Sequence, residues 1–196
     1  MTGRKPYLEA LVTLLEPDDI LVAGLGANAR HLPHLPVRGP LFALCDAMGA
    51  AIPLALGMAL ARPARRVVAL EGDGSLLMSP NVLATVAAAR ATNLTMLLWV
   101  NGRYESSGGQ ALPPVEVDWV ALARAAGLGH VERLGDVAAL RAALPRAMAS
   151  GPALLALDVA FDPDEVIPPY SERPEEIRAR FVDRLGQEPG EPVGVL

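Results

Sequence analysis

Two short, almost uninterrupted apolar runs constrain this chain most: Arg66–Leu70 (RVVAL) and Leu94–Val100 (LTMLLWV). A strand that shows water on one side alternates apolar and polar residues. A strand with no alternation is covered on both faces, as in a parallel sheet flanked by helices. The first run ends in Glu71–Ser75 (EGDGS) and is followed by the helix-like NVLATVAAAR. A tight turn needs one glycine, and here an acid stands between two.

The rest of the chain keeps the same rhythm. Arg4–Leu15 reads as a helix with Leu8, Leu11, Val12 and Leu15 on one face. Asp19–Ala23 reads as a strand that ends in the turn Gly24-Leu25-Gly26, and 31–40 as a proline-containing loop. Residues 46–60 read as an Ala/Gly-rich helix. Ser79 is a candidate cap for a helix over Asn81–Ala91, with Pro80 in its first turn. Asn101–Gln110 reads as a Gly/Ser loop. Helices are expected at 118–126, 136–149 (with Pro145 a kink or early end) and Pro174–Leu185. Strands are expected at His130–Leu134 and Ala153–Val159. Strand–helix alternation predicts a three-layer α/β/α domain around a mainly parallel sheet, spanning residues 1–185 with a loose tail at 186–196.

Composition narrows the function classes. With 196 residues, about half of them apolar, the chain can bury a core. A net charge of −5 with scattered Lys and Arg offers no basic face for nucleic acid. Cys45 is the only cysteine, so an internal disulfide is impossible and a Cys-based metal site is disfavoured. The N-terminus lacks the pattern of a signal peptide, and a cytoplasmic protein is expected. Leu41–Ala61 is long enough to span a bilayer, but it carries Asp46 and Pro53 and is rich in small residues. A buried helix is therefore expected there, not a membrane span.

Ligands of such sheets bind beyond the carboxyl ends of the strands, where the loops 71–75 and 101–110 both lie. Flanking glycines let the backbone near Asp73 approach a ligand closely. A carboxylate aimed at phosphate repels it unless a cation lies between, and Mg²⁺ is held by a carboxylate, carbonyls and phosphates. Asn101, one helix and one strand later, brings a side-chain amide oxygen to the same end of the sheet. Either motif alone also reads as a plain turn; the pair is more specific.

The pair resembles the diphosphate-binding signature of thiamine diphosphate (ThDP) enzymes, GDG followed further on by an asparagine. The resemblance implies Asp73, Asn101 and the main-chain carbonyl of Arg103 as Mg²⁺ ligands, with Gly72, Gly74 and Ser75 along the diphosphate. Val100 stands where relatives often have a second asparagine. Upstream, CDAMGAAIPLALGMALA resembles the segment that cradles the aminopyrimidine ring. It implies Met48 beneath the bent cofactor and the Asp46 carbonyl on the pyrimidine edge. Asp46-Ala47 replaces the usual Gly-Ser, and Met48 also suits an ordinary core position.

GDGSLLM, NGRYESSGGQ and PPYSERPEEIRARFVDRL resemble the sulfopyruvate and phosphonopyruvate decarboxylase branch, across most of residues 20–185. Arg103 and Glu105 depart from the small residues usual there. The branch implies decarboxylation of a small 2-oxo acid. Tyr104–Gln110 follows the metal loop, so Tyr104 is expected at the cofactor, facing the reacting centre, and Ser106, Ser107 and Gln110 are candidate contacts to an anionic tail. Ser106–Gly109 also has the composition of a flexible turn, and both readings stand. His31 and His34 are weighed as proton donors and left outside the catalytic set; His130 has no supporting context. The catalytic glutamate of the family sits on a pyrimidine-binding domain of about 150 further residues. No catalytic residue is therefore expected in this chain. The glutamate is expected on a partner α subunit, in an α₂β₂ or larger heteromer. An acetolactate-synthase-like carboligase subunit and a non-catalytic binding subunit on the same fold are the alternatives.

Overall fold

The computed structural model describes residues 2–113 and 116–186. Six parallel strands form one sheet in the order β2-β1-β3-β4-β8-β7. They are β1 (Ile20–Ala23), β2 (Leu41–Ala43), β3 (Val67–Gly72), β4 (Leu94–Val100), β7 (His130–Leu134) and β8 (Ala153–Asp158). The two apolar runs pair with each other, Val67 opposite Leu94 through Gly72 opposite Trp99.

Their lack of alternation has the expected cause. Val67, Ala69, Met96 and Leu98 face one core, with α3 (Ala51–Ala61), α5 (Val82–Ala89), α6 (Trp119–Ala125) and Phe181 of α8 (Pro174–Gly186). Val68, Leu70, Leu97 and Trp99 face the other, with α1 (Arg4–Leu14) and α7 (Val137–Ala149). Both sides of each strand are dry, so both must be apolar.

Several local expectations change. The helix predicted for 46–60 starts only at Ala51, because Ala47 and Gly49 take positive φ of 58° and 79°, and Leu41–Ala43 ahead of it is a strand. A short helix, α2 (Ala27–His31), and a 3₁₀ turn (Leu32–His34) precede and occupy part of the predicted loop. Ser79 caps nothing: Asn81 stands at the α5 N-cap without a side-chain cap bond. The GDGS turn coils at once into α4 (Asp73–Leu76). Pro145 lies within α7, which runs on to Ala149. Asp118 and Asp136 cap α6 and α7 through the Ala121 and Ala139 amides, as helix starts require. The loop 101–110 holds a small antiparallel hairpin, β5 (Arg103–Tyr104) with β6 (Gln110–Ala111). Gly186 closes α8, and 187–196, the remainder of the expected tail, lie outside the described residues. No helix among the described residues is long and apolar enough to cross a membrane.

The strand order sets where a ligand goes. From β1 the chain steps outward to β2, then returns through α3 to β3 on the other side of β1. The crevice between the β1 and β3 carboxyl ends is the switch point, where open α/β sheets bind ligands.

Candidate functional site

A pocket opens at that switch point. From the end of β1 it is lined by Gly24–Asn28, from β3 by Gly72–Ser75, and from β4 by Trp99 and Asn101. Met48 and the hairpin residues Arg103–Ser106 complete its wall.

Asp73 is 1% exposed. Its Oδ1 accepts the Gly74 amide at 2.8 Å, and its Oδ2 accepts the amides of Asn101 (3.1 Å) and Gly102 (2.7 Å). The carboxylate thus stitches the ends of β3 and β4 together. Burial pushes its carboxyl pKa up, and the three amides oppose that push. A carboxylate offers about four lone-pair positions, so one is left for a cation. Asn101 turns Nδ2 to Glu105 Oε2 (3.0 Å) and accepts the Arg103 amide on Oδ1 at 3.0 Å, which also leaves one lone pair. Among the described residues no three His, Cys, Asp or Glu side chains converge as a metal cage. One carboxylate, one amide oxygen and a carbonyl do not need such a cage. That hard-oxygen set fits Mg²⁺, which takes its remaining ligands from phosphate and water.

Ser75 and Glu71 join this turn to the Met48 segment. Ser75 Oγ accepts the Gly49 amide at 2.7 Å. Buried Glu71 accepts the Ala51 amide at 3.0 Å and the Gly72 amide at 3.2 Å, and Ser75 also hydrogen-bonds its carboxylate. Desolvation raises its pKa, while these hydrogen bonds pull it down. Arg4 also lines the pocket, a largely buried cation whose guanidinium lies over Trp99, 5.4 Å from the ring centre. It bonds Glu165, Asn28 and Glu105.

The fold therefore brings Met48, Gly72, Asp73, Gly74, Ser75, Asn101, Arg103, Tyr104 and Ser106 to one pocket. Asp46, Ser107 and Gln110 are not in its lining. Asp46 is exposed, and Ser107 and Gln110 bond each other at the hairpin tip. The Arg103 guanidinium points away onto Phe161, 4.6 Å from its ring, and donates to the Gly109 carbonyl. His31 and His34 line a separate cavity with Lys5, Glu9 and Asp162. His130 lies within hydrogen-bond distance of Ser150 and Glu132 at the sheet edge, a structural setting. Sequence reasoning missed Arg4, Asn28 and Trp99, and it read Gly24–Gly26 only as a turn; its place after a strand was the one available signal.

The family description "Thiamine pyrophosphate enzyme, C-terminal TPP binding domain" matches residues 27–157, which include the β1–β3 crevice loops from Ala27 onward, Asp73 and Asn101. The chain belongs to this family. A phosphonopyruvate decarboxylase from Streptomyces hygroscopicus is 38% identical over 91% of this chain and 44% of its own length. The sulfopyruvate decarboxylase subunit beta from Methanothermobacter thermautotrophicus is 34% identical over 70% of this chain and 73% of its own length. An X-ray structure described as a thiamin diphosphate-dependent enzyme from Mycobacterium smegmatis superposes with a TM-score of 0.64 at 24% identity. It covers 79% of this chain and 31% of that one, and shows the shared fold. The chain spans less than half the length of the two phosphonopyruvate decarboxylases it matches, 44% and 38%.

Proposed function

We propose that this chain is the diphosphate- and Mg²⁺-binding part of a ThDP-dependent 2-oxo acid decarboxylase, a lyase, with sulfopyruvate or phosphonopyruvate as the substrates to test first. The observation that carries the reading is the buried Asp73 carboxylate at the end of β3, bonded to the loop that presents Asn101 at the end of β4. Buried carboxylates are costly unless paired, and this one has backbone amides and no side-chain cation among the described residues. A bound divalent ion offsets that cost and turns the site toward phosphate.

When bound, the cofactor supplies the electron sink that loss of CO₂ requires. The chain's own residues hold and orient. Asp73, Asn101 and the Arg103 carbonyl would hold the cation, and the turn at Gly72–Ser75 would hold the diphosphate. Met48, next to Gly49, whose amide donates to Ser75 Oγ, would support the ring. Tyr104 and the hairpin shield the turn from water. The glutamate that activates the cofactor is assigned to a pyrimidine-binding domain on a partner α subunit, in an α₂β₂ or larger assembly. The naming of several relatives as "subunit beta" supports that division.

Calorimetric titration of ThDP with Mg²⁺ into the chain, alone and with a candidate α subunit, tests the reading. Binding that strengthens with the partner and disappears in Asp73→Ala is expected. CO₂ release from 2-oxo acids then identifies the substrate, and an aldehyde rather than a ligation product separates decarboxylase from carboligase. No ThDP binding in any arm leaves a non-catalytic subunit on this fold.

A further inference from the structure

Asn101 works as a metal ligand only if its amide presents oxygen, not nitrogen, to the cation. A free asparagine side chain turns either way at little cost. Here the choice is imposed from one side. Glu105 Oε2 faces Asn101 Nδ2 at 3.0 Å, and an ionised carboxylate only accepts. Turning the amide over would set oxygen against oxygen there, and NH₂ against the Arg103 amide that now donates to Oδ1 at 3.0 Å.

Glu105 is itself held. The same Oε2 accepts from Nη2 of Arg4. Arg4 is 5% exposed, and its other two nitrogens are also engaged: Nε with both oxygens of Glu165 at 3.1 and 3.0 Å, and Nη1 with Asn28. With its guanidinium also stacked on Trp99, Arg4 has little freedom to let Glu105 move. Three side chains thus run in series, Arg4 to Glu105 to Asn101, from the core to the pocket.

We propose that Glu105, anchored by Arg4, is a positioning residue for the metal site: it fixes the Asn101 amide so that Oδ1 is the atom offered to Mg²⁺. The inference rests on the reading of Asp73 and Asn101 as Mg²⁺ ligands. Partners that orient metal ligands typically change metal affinity about 10–100-fold when removed.

The test measures the Mg²⁺ concentration that half-saturates ThDP binding, by calorimetry, in the wild-type protein, Glu105→Ala and Glu105→Gln, with its partner subunit present throughout. The unliganded melting temperature is recorded for each. Both donors reach the same oxygen of Glu105, so the amide oxygen of Gln can replace it without the charge. Glu105→Ala is expected to need about tenfold more Mg²⁺, and Glu105→Gln to stay near wild type. Unchanged Mg²⁺ demand in Glu105→Ala overturns the inference. So does a Glu105→Gln as weak as Glu105→Ala, which would make the charge, not the orientation, the active property. If Glu105→Ala does not fold, Glu105→Met, of similar size but with no oxygen to hold the amide, takes its place under the same criteria. Wild-type protein that binds no ThDP at any Mg²⁺ level overturns the proposed function first, and this inference with it.

Discussion

Tyr104 lays its ring against Gly74 so closely that a methyl group on Gly74 would sit 2.7 Å from the ring Cδ1. Gly74 is the second glycine of the GDG motif, and from sequence its bareness points to a ligand alone. In the structure it also seats the hairpin that closes the pocket, with Leu112 on the same spot at 3.0 Å. Gly74→Ala is expected to push the hairpin outward and destabilise the protein by about 1–3 kcal/mol. Limited proteolysis between Glu105 and Gln110 should speed up. Adding Tyr104→Ala should recover part of the loss in a double-mutant cycle, which checks that the ring is the cause.

Glu71 is the missing cap of α3. That helix starts at Ala51 behind an N-cap residue, Ala50, that has no side-chain cap bond, and the Ala51 and Ile52 amides turn instead to the Glu71 carboxylate across the core. Glu71→Ala leaves these donors buried and unpaired, a cost of about 1–3 kcal/mol by denaturant titration. Glu71→Gln keeps an acceptor and removes a buried charge, so it is expected to be the milder change. Gly24→Ala should mimic the Ala variant, since its Cβ would lie 2.5 Å from Glu71 Oε1.

Ala47 holds φ of 58° directly before Met48. The left-handed region costs an L-residue about 1–2 kcal/mol. Ala47→Gly should recover part of that, raising the melting temperature. A fall in melting temperature would show that the backbone there carries no such strain.

His31 gives the protein a pH slope. Burial lowers its pKa below 6.5, and the facing Arg4 and His34 lower it further, against the pull of Glu165. The unfolded chain then takes up the proton at a higher pH than the folded one, so stability is full above 6.5 and declines as pH falls toward the lowered folded value. His31→Gln should flatten that part of the curve of unfolding free energy against pH. An unchanged slope between wild type and variant would assign it elsewhere.

The features legible in the sequence were those with a local cause. Uninterrupted apolar runs announced strands dry on both faces, and Val67–Gly72 and Leu94–Val100 are those strands. Asp73 and Asn101 were legible because each follows such a strand directly, and parallel neighbours necessarily end side by side. The helices expected over 118–126 and 136–149 begin at Asp118 and Asp136, whose side chains cap them within their own first turns.

What the tertiary structure alone decided depends on groups far apart in the chain. Arg4 and Glu165 meet across 161 positions, and nothing local to either foretells the partner. The start of α3 was hidden because the segment is apolar on all sides and carries no cap signal; its cap, Glu71, comes from β3, 20 positions away. The hairpin over Gly74 reads as a flexible loop by composition, and only its packing against the GDG turn makes it a wall of the site. Residue type determined which chemistry was possible at the strand ends. The crossing of the chain between β1 and β3 decided which of those residues share a pocket.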